Sequence, residues 1–405
     1  MIHEFVGNPC ILFSFTASFL TTLSHRVDNE VHRKGHTVKK NRSTRLKFAA
    51  LGATLVVGLA ACSSGSSSSS ESPSAAASSD GEIGVTLITK TSDNPFFVSM
   101  QESAEEAAAA AGVNLTLAAG KEDGDEQTQV QAIENAISSG QKGILITPNG
   151  PGVNSAIEKA RDAGIYVIAL DTVPDPADIV DITFATDNFQ AGQLIGEWAA
   201  GTLNGEKATI AMLDLFDDKV VTVDVARDTG FLKGMGIEVP DPNNNGSEAA
   251  TGSYSGGEYE IACHEATQGA EDGGRSAMEN CLSANPNINL VYTINEPAAN
   301  GAYAALQAVG KEKDVTIVSV DGGCAGVQSV KDGVIGATSQ QYPGKMAQEG
   351  IDAIANYVKT GEAPQTSEGL NFYNTGVQLV TDNPVDGVES ITADEGLQSC
   401  WGEKA

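Results

Sequence analysis

Polar and aromatic side chains gather at four places in this chain, each directly after a short apolar run. Residues 90–97 hold Lys90, Asn94, Phe96 and Phe97; later runs end in Asp171-Thr172, in Asn295-Glu296 and in Asp321. Carboxylates accept hydrogen bonds, lysine and asparagine donate them, and adjacent phenylalanines offer flat apolar surface. A mixed set of this kind is what a small-molecule site requires. Any single Asp or Asn in such a position serves as a helix cap or turn former. Their joint occurrence with an aromatic pair points to a binding site instead. Asp171 and Asp321 also suggest an acid–base carboxylate pair, yet the sequence contains no GxSxG, no HExxH and no helix-opening GxGxxG. Binding is therefore favoured over turnover.

These positions matter because open α/β sheets bind ligands beyond the carboxyl ends of their strands. The run Ile83-Gly-Val-Thr-Leu-Ile-Thr89, a turn, and the Ala- and Glu-rich segment 99–111 read as one βα unit. Segments 143–147, 165–170 and 182–186 are further β-branched runs, separated by helix-length stretches such as 127–139 and 153–163. Runs so uniformly apolar suit strands buried on both faces. The scheme restarts at 208–213 and continues through 288–294, 315–320 and 334–338. The expected fold class is α/β, with two doubly wound parallel-sheet lobes. The roughly 320 residues from Ile83 onward suffice for two such cores.

What precedes Ile83 differs in composition. Lys39, Lys40, Arg42, Arg45 and Lys47 form a basic run, 48–60 is apolar, and Leu59-Ala60-Ala61-Cys62 closes it. The apolar stretch falls short of the roughly 20 residues a bilayer-spanning helix needs. The closing tetrad resembles the bacterial lipobox, which implies lipidation and cleavage at Cys62. Residues 1–61 are thus expected to be an upstream extension and lipoprotein signal, with Val38 a candidate start, and 62–82 a Ser/Gly-rich tether. The expected location is extracytoplasmic, lipid-anchored to the cell membrane. The chain carries 24 Lys and Arg against 53 Asp and Glu; without the segment before Cys62 the balance is 16 against 50, or −34. That excess opposes phosphate neutralisation and excludes nucleic acid as a partner. Cys263, Cys281, Cys324 and Cys400 form an even set outside the cell, which suggests two disulfides in one of three pairings. No metal site and no cofactor are expected, since there is no CxxC pair and His264 has no partner at ligand spacing.

Along nearly all of 83–402 the chain resembles the type 1 periplasmic sugar-binding proteins of the ribose and fructose group. Six motifs in order carry the resemblance: Asp93-Asn-Pro-Phe-Phe97, Ala169-Leu-Asp-Thr172, Arg227-Asp-Thr-Gly-Phe231, Thr293-Ile-Asn-Glu296, Ser319-Val-Asp-Gly322 and Ala337-Thr-Ser-Gln-Gln-Tyr-Pro343. The resemblance implies that Asn94, Phe96, Phe97, Asp171, Arg227, Asn295, Asp321 and Gln341 line a monosaccharide site, with Arg227-to-Phe231 opening a helix. A sugar ring has apolar C–H faces for the phenylalanines and a hydroxyl rim for the polar groups. Ribose binders of this group usually carry arginine where this chain has Thr172. Lys90 or Gln268 is expected to replace that donor. The segment from Glu258 to Gly269 and the closing Cys400-Trp-Gly402 look more like the fructose branch, which places fructose ahead of ribose.

The resemblance also implies three crossings between lobes, near 185–187, 341–342 and 381–383. The amino-terminal lobe would then comprise 83–186 plus 342–381 and the carboxyl-terminal lobe 187–341 plus 382–405. All four cysteines would lie in the second lobe, which favours Cys263 with Cys281 and Cys324 with Cys400, the latter a staple that leaves closure free. The implied partners are an ABC permease and its ATPase, with the binding protein a monomer that closes on its sugar. A chemotaxis receptor or feeder of a membrane sensor kinase is the alternative. A transcription regulator of this fold would need a helix-turn-helix ahead of it, and none is seen.

Overall fold

The computed structural model describes residues 83–403. Cys62 and the segments read as signal and tether lie outside the described residues. The chain runs β1 (Ile83–Thr89), α1 (Pro95–Ala111), β2 (Val113–Ala119), α2 (Glu126–Ser138), β3 (Gly143–Ile146), α3 (Asn154–Asp162), β4 (Tyr166–Leu170) and β5 (Ile182–Ala185). It continues through α4 (Asn188–Thr202), β6 (Ala208–Asp214), α5 (Thr222–Gly234), β7 (Thr251–Ser253), β8 (Glu258–Ala266), α6 (Glu271–Ala284), β9 (Leu290–Thr293), α7 (Glu296–Ala308), β10 (Thr316–Asp321), α8 (Cys324–Lys331) and β11 (Ala337–Gln340). It closes with α9 (Pro343–Thr360), β12 (Tyr373–Asn374), β13 (Gln378–Val380) and α10 (Ala393–Ser399).

Two sheets result, in the orders β12-β5-β4-β3-β1-β2 and β13-β11-β10-β9-β6-β8-β7. The first is parallel throughout; the second is parallel except at its two edge pairs. Every residue of β3, β4, β5 and β6 is buried, because helices cover both faces of each sheet. In the first lobe α1 and α9 pack on Val85, Leu87 and Ile168, while α2 and α3 cover Ile88, Ile144 and Ile146. In the second, α4 and α5 cover Ile210, Met212 and Val318, and α6, α7 and α8 the opposite face. The fold is the doubly wound α/β pair that the strand and helix pattern implied.

Differences from the sequence reading fall at the edges. The strands β2 and β8 were not read, because much of each is only half-buried and lacks a uniform apolar run. Helix α1 starts at Pro95, four residues early, since Asn94 caps it by accepting from the Phe96 N–H at 3.0 Å. The third crossing lies between Asn374 and Gln378, ahead of the expected 381–383. Strand β13 already pairs antiparallel with β11, so the chain must have returned to the second lobe by then.

Arg227 to Phe231 sit within α5, not at its start. Gly230 fits there because α4 crosses α5 backbone to backbone. A Cβ on Gly230 would lie 2.2 Å from the Phe189 carbonyl oxygen, and one on Gly192 would lie 2.1 Å from that of Arg227. Gly230→Ala is therefore expected to destabilise the protein by about 2–3 kcal/mol through overpacking. Urea denaturation beside the parent protein measures it; an unchanged midpoint would show that the helices can slide apart freely.

The structure joins Cys263 to Cys281 and Cys324 to Cys400. The second bond does more than hold the carboxyl end to its own lobe. Trp401, the residue after Cys400, packs edge-on against Phe96 of the first lobe at 5.4 Å between ring centres.

Candidate functional site

Strand ends β1, β4, β9 and β10 point into one cavity between the lobes. The empty space inside it, its open mouth included, is ≈ 380 Å³. Lys90, Asn94, Phe96, Phe97, Asp171, Arg227, Asn295, Asp321 and Gln341 all line it, with Leu215, Val223 and Ile294 as apolar wall.

Two expected residues do not line it. The Thr172 hydroxyl turns back and donates to Asp171 Oδ2 at 2.8 Å, which fixes that carboxylate. Gln268 is exposed, in a left-handed turn at φ 56° whose N–H is tied to the Leu215 carbonyl. Its neighbour Gly269 meets the site instead, accepting from Asn295 Nδ2 at 2.9 Å.

Asp123 is a cavity residue that the sequence reading missed. It stands beyond β2, and only a reader who had recognised that strand would have looked there. Its side chain lies 3.9 Å from the Lys90 ammonium, and burial pushes its carboxyl above the ordinary range against the pull of that lysine. Asn188 was also missed. At the start of α4 it accepts from Arg227 Nε at 2.9 Å and donates to the Asp171 carbonyl at 3.3 Å.

Arg227 organises the cavity. It is 4 % exposed, donates through Nη1 to the Ile294 carbonyl at 2.8 Å, and stands 3.9 Å from Asp171 Oδ1 and 4.0 Å from Asp321 Oδ1. A guanidinium donates five N–H bonds in fixed directions, so it can tie both lobes' aspartates to one frame. Asp171 and Asp321 carry φ of 64° and 147°. Non-glycine residues held at such angles store strain of about 1–3 kcal/mol, and they cluster where geometry serves binding. Gly322, next to Asp321, must be glycine, since a Cβ there would meet the Gln340 Cα at 2.3 Å.

Asp321 and Glu296 share buried ground. The Gly322 and Gly323 N–H groups and the Thr338 hydroxyl donate to Glu296 at 2.8, 3.1 and 2.9 Å. Burial and the Asp321 charge still raise its carboxyl to about 8. Burial, opposed by Arg227, raises Asp321 to about 6. The two carboxyls titrate as a pair above the ordinary carboxylate range, and Asp321 is the one that faces Arg227.

Several buried atoms in the cavity have no hydrogen-bond partner among the described residues: Asp123 Oδ1, Asp171 Oδ1 and Gln341 Oε1. The Gln341 amide does donate to Asp321 Oδ1 at 3.1 Å. Asn94 and Asn295 spend their side-chain oxygens capping α1 and α7, through the Phe96 and Ala298 N–H groups. Both phenylalanines belong to the first lobe's core and also face the cavity.

A cleft between two doubly wound lobes, with polar groups from both converging on one small cavity, defines a two-lobed ligand-binding protein. The family model described as periplasmic binding protein domain matches residues 83–363. The chain belongs to that family, among the type 1 periplasmic sugar-binding proteins of the ribose-binding group. It is 28% identical over 282 residues to the ribose import binding protein of Salmonella typhimurium, covering 69% of this chain and 86% of that one. It is likewise 28% identical over 288 residues to the D-apiose import binding protein of Actinobacillus succinogenes, covering 71% and 85%. An ABC transporter periplasmic solute-binding protein from Actinobacillus succinogenes, solved with bound D-allose, superposes with a TM-score of 0.62 at 25% identity, covering 74% of this chain and 97% of that one. These relatives are named as binding proteins.

Proposed function

We propose that this chain captures a monosaccharide outside the cell for an ABC permease and its ATPase, as a monomer tethered to the membrane through a lipid on Cys62. The two lobes close on the sugar, with D-fructose favoured and D-ribose next. The observation that carries the reading is the unpaired polar set inside the cavity. Asp123, Asp171 and Gln341 offer free acceptors, while Lys90, Arg227 and Asn94 bring donors to the same walls. A ring of hydroxyls both gives and takes hydrogen bonds, and its C–H faces suit Phe96 and Phe97. The preference for fructose rests on the segment from Glu258 to Gly269 and the closing Cys400-Trp-Gly402, which look like the fructose branch, while Thr172, engaged with Asp171, stands where ribose binders usually have arginine and weakens the ribose reading. The Lys90 ammonium supplies the cation from another direction.

Calorimetry of D-fructose, D-ribose, D-allose, myo-inositol and a furanose panel tests this. One sugar bound per chain, with fructose tightest, is the expected result. Binding of none would overturn the reading, and a tighter pentose would overturn the preference.

Affinity should also fall in acid. The raised Asp321 carboxyl accepts hydroxyl protons only when ionised, and that form is lost as pH drops through about 6. At pH 5 about one molecule in ten retains it, so binding should be about tenfold weaker than at pH 7.5. Asp321→Asn should bind weakly at both values. A parent affinity that stays level from pH 7.5 to pH 5 would take Asp321 out of the acceptor role.

A further inference from the structure

Behind the sugar-facing wall, on the other side of β6 and α5, a second polar cluster is built from residues far apart in sequence. Oxygens of Asp214 and Asp228 and a ring nitrogen of His264 all lie within 4.8 Å of one another. Asp214 ends β6, Asp228 follows Arg227 on α5, and His264 is on β8. The sequence shows no motif because the sheet, not the spacing, brings them together. His264 Nδ1 stands 2.7 Å from Asp214 Oδ2, and its Nε2 stands 2.7 Å from Glu248 Oε1.

Three oxygens here are buried with no hydrogen-bond partner among the described residues: Asp214 Oδ1, Asp228 Oδ2 and Glu248 Oε2. Asp228 is 1 % exposed, and no Lys or Arg among the described residues comes within ion-pair distance of Asp214, Asp228 or Glu248. Asp224 adds a further buried carboxylate, its oxygens taken by the Leu215 and Phe216 N–H groups. Buried carboxylates are paired with a cation or coordinate a metal; the His264 imidazole stands between Asp214 and Glu248, and Asp228 Oδ2 is left with no partner among the described residues. A cavity lined by Asp214, Asp224, Asn245 and His264 opens the cluster to solvent.

We propose that Asp214, Asp228 and His264 Nδ1 form a site for one divalent transition-metal ion, with Glu248 fixing the imidazole through Nε2–H. Imidazole with carboxylates suits zinc and its neighbours, and a carboxylate behind a ligating histidine sets the ring's tautomer and basicity. Zn–N and Zn–O bonds of about 2.0–2.2 Å at tetrahedral angles separate their ligand atoms by about 3.3–3.5 Å, so the Nδ1 to Oδ2 gap must widen by about 0.6–0.8 Å while the ion takes the place of the shared proton. Because β6 leads into Leu215 and α5 carries Arg227, the ion would brace the wall that holds the sugar.

The test uses untagged protein, stripped by chelator and titrated with Zn²⁺, then with Co²⁺ and Ca²⁺. One Zn²⁺ per chain is expected, with proton release on binding and a higher melting temperature. Asp228→Asn and His264→Gln should each weaken Zn²⁺ at least about hundredfold while sugar still binds. Should either variant fail to fold, the parent protein decides through the Co²⁺ absorption bands of a four-coordinate nitrogen–oxygen site. Absence of stoichiometric Zn²⁺, equal Zn²⁺ affinity in folded variants, or a Co²⁺ spectrum like that of the aqueous ion would overturn the site.

Discussion

Arg227→Ala is expected to weaken sugar binding by about 3–5 kcal/mol, a loss of about two to four orders of magnitude, because it removes one partner of a buried charge network. The guanidinium holds Asn188 and the Ile294 carbonyl by hydrogen bonds and faces Asp171 and Asp321. Without it two carboxylates, each about 4 % exposed, remain buried with no compensating cation at that position. They would repel each other and no longer be held in the directions a hydroxyl rim requires. Arg227→Lys should rescue little, since a point charge cannot serve Asn188, Ile294 and both aspartates from one place. Calorimetry on the two variants, with circular dichroism to confirm folding, measures the effect. An alanine variant that is folded and binds with parental affinity would remove Arg227 from the site.

How much of this was legible in the sequence depended on where each residue sits in a sheet. Central strands such as β3 and β4 are buried on both faces, so they read as unbroken apolar runs, and the polar groups at their ends stood out. Asp171 and Asp321 were found that way. Edge strands carry no such run. The strand β2 has exposed Asn114, Thr116 and Leu117, and its obscurity hid Asp123 beyond it. The positions of Thr172 and Gln268 depended on backbone direction after a strand end, which composition does not encode. Thr172 rotates toward Asp171, and Gln268 is turned outward by a left-handed residue. The cluster around His264 shows the same limit in another form. Its members are separated along the chain by strands and helices, and only the pairing of β6 with β8 sets His264 beside Asp214.

Removing the Cys324–Cys400 bond should produce the largest loss of stability and also reach the cleft. The cysteines are 76 residues apart, against 18 for Cys263–Cys281. In the chain-entropy view, closing those loops restricts the unfolded state by about 4 and about 3 kcal/mol respectively. Cys324→Ala with Cys400→Ala should therefore destabilise more than Cys263→Ala with Cys281→Ala in urea denaturation. The two should differ further in binding. The Cys324 N–H donates to the Trp401 carbonyl at 2.9 Å, and the Trp401 indole donates to the Gln341 carbonyl at 2.8 Å. That chain of contacts carries the second lobe's terminus onto Phe96 and Gln341, both of which line the cavity. Freed of its anchor, Trp401 would leave Phe96 without its edge-on partner, so sugar affinity should drop along with stability. The Cys263 variant, whose bond ties β8 to α6, should keep its affinity. Trp401→Ala separates the two effects, because it keeps the disulfide while removing the indole. Weaker binding at near-parental stability is expected from it. Unaltered binding in Trp401→Ala would confine the Cys324–Cys400 bond to holding the chain end.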